Sequence, residues 1–144
     1  MKILFDTSVL AAAIVEPHPM HPDAFPWLKR AKSGEFDMFV ASHTLAELYA
    51  VLTTLPVSPG IPPDAARRLI HDDVETTAKI ISLSSQDYIS TIRNLADLGL
   101  SGGIIYDALI VRAAKKSGAD KVLTFNVDDF SSVWPEGKSH LVAP

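Results

Sequence analysis

Asp107 is the residue in this chain that is hardest to explain as ordinary surface charge. At 100° per residue on a helix over 104–117, the polar arc is taken by Arg112, Lys115 and Lys116, while Asp107 falls on the side of Ile110, Val111 and Ala114. An aspartate in a first helical turn complements the helix dipole, a gain of about 0.3–1 kcal/mol. That gain does not account for a carboxylate turned toward a core, which is costly unless a cation neutralises it. Asp6 ends the apolar run Lys2-Ile3-Leu4-Phe5 and fits either a turn-forming cap or a ligand at a strand end. Glu47 lies opposite the Leu45/Leu48/Leu52 stripe, where a solvated glutamate is ordinary. Asp128 and Asp129 follow a late apolar run, a place for turns and caps as much as for a site.

If these carboxylates converge, the chemistry they suit is the binding of a hard divalent cation. Mg²⁺ takes a few carboxylates and keeps several waters, and Mn²⁺ accepts similar oxygen ligands. One or two such ions polarise a phosphodiester, activate a water for in-line attack and stabilise the leaving oxygen. The chain has no cysteine, which excludes disulfides, thiolate nucleophiles and thiolate zinc sites. His18 and His21 are separated by Pro19 and have no matching pair elsewhere, so they read as a surface loop, and His43 and His71 read as packing or surface residues. The clusters Lys29-Arg30-Lys32, Arg67-Arg68 and Arg112-Lys115-Lys116 read as solvated faces and are also the candidates for phosphate contacts. Ser101-Gly102-Gly103 reads as a turn ahead of a helix.

The elements that must position these residues alternate in type. Apolar runs at 2–5, 36–41, 79–83 and 121–125 predict strands, with a weaker edge strand at 141–143. Helices are predicted over 9–15, 27–32, 42–54, 64–74, 85–98 and 104–117, with Ser42 and Ser84 as N-caps and Gly34 and Gly118 as stops. Pro17, Pro19, Pro22 and Pro26 fence the segment before the second helix. Strands separated by helices imply parallel pairing and a three-layer α/β/α sandwich with a short central parallel sheet. Ligands of such sheets bind beyond the carboxyl ends of the strands, where Asp6 and the 126–129 segment would lie. The 144 residues suit one domain, 1–144, and a net charge of −4 argues against nucleic-acid binding through overall charge. No run is long enough for a membrane span and none reads as a secretory leader, so a cytoplasmic location is expected.

The chain resembles a PIN domain of the VapC type, the ribonuclease toxin of a toxin–antitoxin pair. The resemblance rests on Phe5-Asp6-Thr7-Ser8, Ala46-Glu47-Leu48-Tyr49, Tyr106-Asp107-Ala108-Leu109-Ile110 and Leu123-Thr124-Phe125-Asn126-Val127-Asp128-Asp129-Phe130, four pieces in order along the whole chain. It implies a PIN-like fold and an Mg²⁺-dependent ribonuclease, with Mn²⁺ as the other cation. Position by position, Asp6, Glu47 and Asp107 match the acidic metal site, and Ser8 is a hydroxyl contact. Asn126 stands where many relatives carry aspartate; the fourth carboxylate is then Asp129, with Asp128 as the alternative. The resemblance also implies an RNA substrate, a VapB-like antitoxin seated on the apolar faces of the 45–55 and 65–74 segments, and a homodimer. Those faces fit ordinary core packing equally well.

Two other functions compete. A catalytically inactive PIN-like binding protein would leave the inward placement of Asp107 without a purpose. A metal-dependent phosphatase-type α/β hydrolase needs a second aspartate two residues after Asp6, and Ser8 occupies that place.

Overall fold

The computed structural model describes residues 1–144. Strand β1 (Lys2–Phe5) leads into α1 (Thr7–Ile14) and α2 (His21–Lys32), and β2 (Asp37–Ala41) into α3 (Ser42–Thr54) and α4 (Pro63–Ile70). A π-helical turn at His71–Glu75 joins α4 to β3 (Lys79–Ile81), followed by α5 (Ser85–Leu98) and α6 (Ile104–Ser117). The chain closes with β4 (Lys121–Leu123), α7 (Val127–Val133), a 3₁₀ segment at Pro135–His140 and the two-residue β5 (Leu141–Val142). The sheet has the order β3-β2-β1-β4-β5, and its four pairings are all parallel.

Alternation along the strands divides the apolar side chains between two layers. Ile3, Phe5, Met38, Val40 and Leu123 face α1 to α4, where Leu10, Leu28, Leu48, Leu52 and Ile70 complete one core. Leu4, Phe39, Ala41, Ile81 and Val122 face the other way, against Leu95 of α5, Ile110 and Ala114 of α6, and Phe130 of α7. This is the expected α/β/α sandwich. The connections from β1 run toward β2 on one side, and β4 lies on the other, so the order reverses between β1 and β4. A crevice is expected at that switch point.

Four local expectations are corrected. Helix α2 begins at His21 and contains both Pro22 and Pro26. Pro22 falls in the first turn, where no N–H is needed, and Pro26 forfeits one hydrogen bond on an exposed face while Ala24, Leu28 and Ala31 bury their stripe. Ser42 is the first helical residue of α3 and does not cap it; its Oγ accepts a hydrogen bond from the Leu83 N–H at 3.3 Å. The strands at 36–41, 79–83 and 121–125 are shorter than the apolar runs that announce them. Leu48, expected on an antitoxin-binding face, is fully buried in the first core. Ser84 does cap α5, through a capping box with Asp87.

Candidate functional site at the sheet switch point

The register that pairs Phe5 with Leu123 places the ends of β1 and β4 side by side. The Asp6 N–H donates to the Leu123 carbonyl at 3.0 Å, extending the pairing by one residue. Asp6 occupies the N-cap position of α1, yet its side chain makes no capping hydrogen bond. Instead its Oδ2 accepts from the Ser8 hydroxyl at 2.7 Å and from the Thr124 hydroxyl at 2.8 Å. Thr124 is itself fully buried and accepts the Asn126 N–H at 2.9 Å, so the residue after β4 locks the carboxylate after β1. Both hydroxyls converge on one oxygen, and no side chain donates to the other.

Glu47 departs from its expected solvated position. It is half-buried, and its Oε1 accepts from the Thr7 hydroxyl at 3.2 Å, which ties α3 to the residue next to Asp6. Asp107 reaches the same place from α6, in the opposite helical layer, and is half-buried as its helical position predicts. Asp129, in the first turn of α7, lies close enough to act on Asp107 electrostatically; Asp128 does not figure among the charges felt there. Asn126 takes the N-cap position of α7 but caps nothing with its side chain.

The electrostatics of the cluster are one-sided. Burial pushes the Asp107 carboxyl up to about 7, and Asp6, Asp129 and Glu47 add to the rise in that order. No hydrogen bond or cation offsets it. Asp6 is also raised by burial, against the partial relief given by the Ser8 and Thr124 hydroxyls and the neighbouring N–H groups. Glu47 is raised by burial and by Asp6, with His43 and the Thr7 hydroxyl pulling the other way. Carboxylates that repel one another, with the His43 imidazole acting against the repulsion at Glu47 and no cation acting on Asp107, form a site short of positive charge. No three of the acidic side chains are drawn together closely enough to enclose an ion by themselves.

Six of the eight basic residues named as candidates for phosphate contacts are paired elsewhere, Lys29 and Arg67 being the exceptions. Arg112 and Lys116 pair with buried Asp87 at 2.9 Å and 2.8 Å, and Lys115 pairs with Glu136 at 3.5 Å. Arg30 pairs with Glu35, Lys32 with Asp73, and Arg68 with Asp64. Lys116, the Ser84 N–H and Arg112 hold the Asp87 carboxyl well below its usual range, as a structural anion joining α5 to α6. His21 opens α2, with Nδ1 at 2.8 Å from the Ala12 carbonyl and its ring stacked on Phe25, while His71 lies 3.7 Å from Glu75. Two residues of the site escape a reading of the sequence: Thr7 and Thr124, which orient Glu47 and Asp6. Their only local signal is a threonine directly after a strand-end aspartate and another directly after an apolar strand.

A group of carboxylates acting on one another at the switch point of a parallel sheet marks this α/β protein with concentrated negative charge at the carboxyl ends of β1 and β4. The chain belongs to the PIN domain family, which matches it over residues 3–133. It is 34% identical over 115 residues to ribonuclease VapC27 of Mycobacterium tuberculosis, spanning 80% of this chain and 78% of that one. It is 34% identical over 119 residues to ribonuclease VapC40 of the same organism, spanning 83% and 82%. In shape it is similar to M. tuberculosis VapC20, described as a sarcin–ricin loop cleaving toxin, with a TM-score of 0.70 at 18% identity over 90% of this chain and 94% of that one. It is similar also to the VapBC2 structure of Rickettsia felis bound to a promoter DNA fragment, with a TM-score of 0.68 at 20% identity over 100% and 99%. At such identities the likeness shows the fold.

Proposed function

We propose that this protein is a metal-dependent ribonuclease of the VapC kind, the toxin of a toxin–antitoxin pair, acting in the cytoplasm as one domain over residues 1–144. Two relatives named ribonucleases, each matched over most of both chains, support the activity. The observation that carries the metal dependence is the placement of Asp107, half-buried in the first turn of α6 with no lysine or arginine paired to it and with Asp6, Asp129 and Glu47 acting on it.

In this reading Asp6, Glu47, Asp107 and Asp129 hold Mg²⁺ or Mn²⁺. A cation bound there supplies positive charge to the scissile phosphodiester and to an attacking water. Ser8 and Thr124 fix Asp6 so that its second oxygen is left for a ligand, and Thr7 does the same for Glu47. Asp107 would hold the cation in its ionised form, so occupancy of the site would rise with pH. The antitoxin, VapB-like, docks on the groove between α3 and α4, a cavity of about 590 Å³ lined by Leu45, Tyr49, Pro63, Arg67 and Ile70. The protein forms a homodimer, and no helix is long and apolar enough to cross a membrane.

The test is cleavage of single-stranded RNA by the purified protein with Mg²⁺, with Mn²⁺ and with excess chelator. Cleavage requires the cation, and Asp6→Asn and Asp107→Asn abolish it while leaving the circular dichroism spectrum unchanged. Turnover in excess chelator, or full activity of Asp107→Asn, overturns the proposal.

A further inference from the structure

Beside the acidic crevice lies an aromatic pair that the cation chemistry does not use. His43, on the first turn of α3, and Tyr106, on the first turn of α6, stack with ring centroids 5.1 Å apart and planes 3° from parallel. Tyr106 immediately precedes Asp107, and the His43 Nε2 lies 3.7 Å from the Glu47 Oε1, so the pair borders two of the four carboxylates. Tyr106 is nevertheless 48% exposed. With His43 covering one ring face, the exposure belongs to the other face and the ring edge. The imidazole beneath is the better buried partner, and its Nε2 is enclosed without a hydrogen bond.

A half-exposed tyrosine held flat by a ring behind it presents a free π-face that can take a third planar partner. The crevice next to it suits a phosphodiester, and a base one nucleotide from that phosphate is the planar group that would come with it. No lysine or arginine is among the groups acting on Asp6, Glu47 or Asp107, and Arg112, Lys115 and Lys116 of α6 are paired elsewhere. Substrate must therefore be held there by something other than phosphate contacts to these bases, and stacking on an aromatic is the usual alternative for unpaired nucleotides. We infer that Tyr106, backed by His43, is a stacking platform for a nucleobase flanking the cleaved phosphodiester. The inference rests on the ribonuclease reading, and it assigns the substrate of that site to strands whose bases are free to leave a helix.

The experiment measures binding of a short fluorescein-labelled single-stranded RNA by anisotropy with Mg²⁺ present, in an Asp6→Asn background that does not cut it. Tyr106→Phe should bind like the parent, and Tyr106→Ala should bind roughly 5- to 100-fold more weakly, the range alanine substitution of a stacking aromatic produces. An RNA of the same length with abasic sites should bind weakly to the parent and lose little further on Tyr106→Ala. Thermal melts check that each variant is folded, as the half-exposed ring predicts. Equal binding by the parent and Tyr106→Ala overturns the platform, as does an equal loss for intact and abasic RNA. Either result leaves cleavage by the unsubstituted protein as the separate measure of the ribonuclease reading. If that protein cuts no RNA while the base-dependent loss at Tyr106 persists, the ribonuclease reading fails and the platform stands as a nucleic-acid contact.

Discussion

Replacing Asp107 by asparagine should stabilise the protein when no cation is present, because the substitution removes a charge that the fold holds at a cost. The Asp107 carboxyl stands at about 7 in the folded chain against 3.8 for the free side chain. A folded-state value above the unfolded one means that the native state binds more protons between those two pH values. Stability therefore falls as pH rises from about 4 to about 7, and the full penalty is present above that window. A shift of roughly three units corresponds to about 4 kcal/mol at 1.36 kcal/mol per unit. Asp107 is half-buried, and solvent screening reduces this to about 2 kcal/mol. For a chain of this size that is about 6–8 °C in Tm. The assay is a set of thermal melts by circular dichroism in chelator from pH 4 to pH 8, comparing the parent with Asp107→Asn. The curves should coincide near pH 4 and separate toward pH 8, with the variant the more stable. Adding Mg²⁺ or Mn²⁺ at pH 8 should raise the Tm of the parent more than that of the variant, since a ligand that binds only the native state stabilises it. A variant less stable than the parent at pH 8 refutes the reasoning and makes Asp107 a dipole-complementing residue of α6. A difference that does not change with pH refutes it as well.

Thr124→Val removes the hydroxyl that donates to Asp6 and accepts the Asn126 N–H, and should cost about 1–3 kcal/mol in denaturant melts while weakening cation binding measured by calorimetry. Asp87→Asn loosens α5 from α6 by unpairing Arg112 and Lys116 and weakening the Ser84 capping box, at about 1–2 kcal/mol near neutral pH. Because the Asp87 carboxyl is held low in the folded state, its contribution is present above the ordinary carboxylate range and lost as pH falls, so the variant's deficit should shrink in acid melts. In the α3–α4 groove, Tyr49→Asp should leave the fold intact and weaken capture of a co-expressed VapB-like antitoxin, read by co-purification, whereas Leu48→Asp should unfold the chain because Leu48 is fully buried.

The legible parts of this protein are those whose signal lies within one element. Ser84 as an N-cap, Gly118 as a stop with φ of +67°, and the Leu45/Leu48/Leu52 stripe of α3 all follow from residues close together in the chain. Asp107 belongs with them, since its inward direction is a property of one helix. The start of α2 was hidden because two prolines argue locally against a helix that the buried Ala24/Leu28/Ala31 stripe supports. Ser42 was misread for a related reason: a serine before an apolar helix signals a cap, and nothing near it announces that Leu83, from beyond β3, will claim its hydroxyl.

By itself the sequence determined the order of strands and helices, hence a parallel sheet, and the placement of Asp6 at the end of its first strand. It determined also that Asp107 turns toward the interior. Tertiary structure alone decided that Glu47 turns to Thr7 and that Asp129 comes within electrostatic reach of Asp107. It decided too that Asp87 captures Arg112 and Lys116, leaving them outside the crevice. The physical reason is that periodicity fixes which residues share a face of a helix but not how far the helix is rotated about its axis against its neighbours. That rotation is set by packing both layers against the sheet, and it joins polar groups 25 to 118 residues apart in the chain.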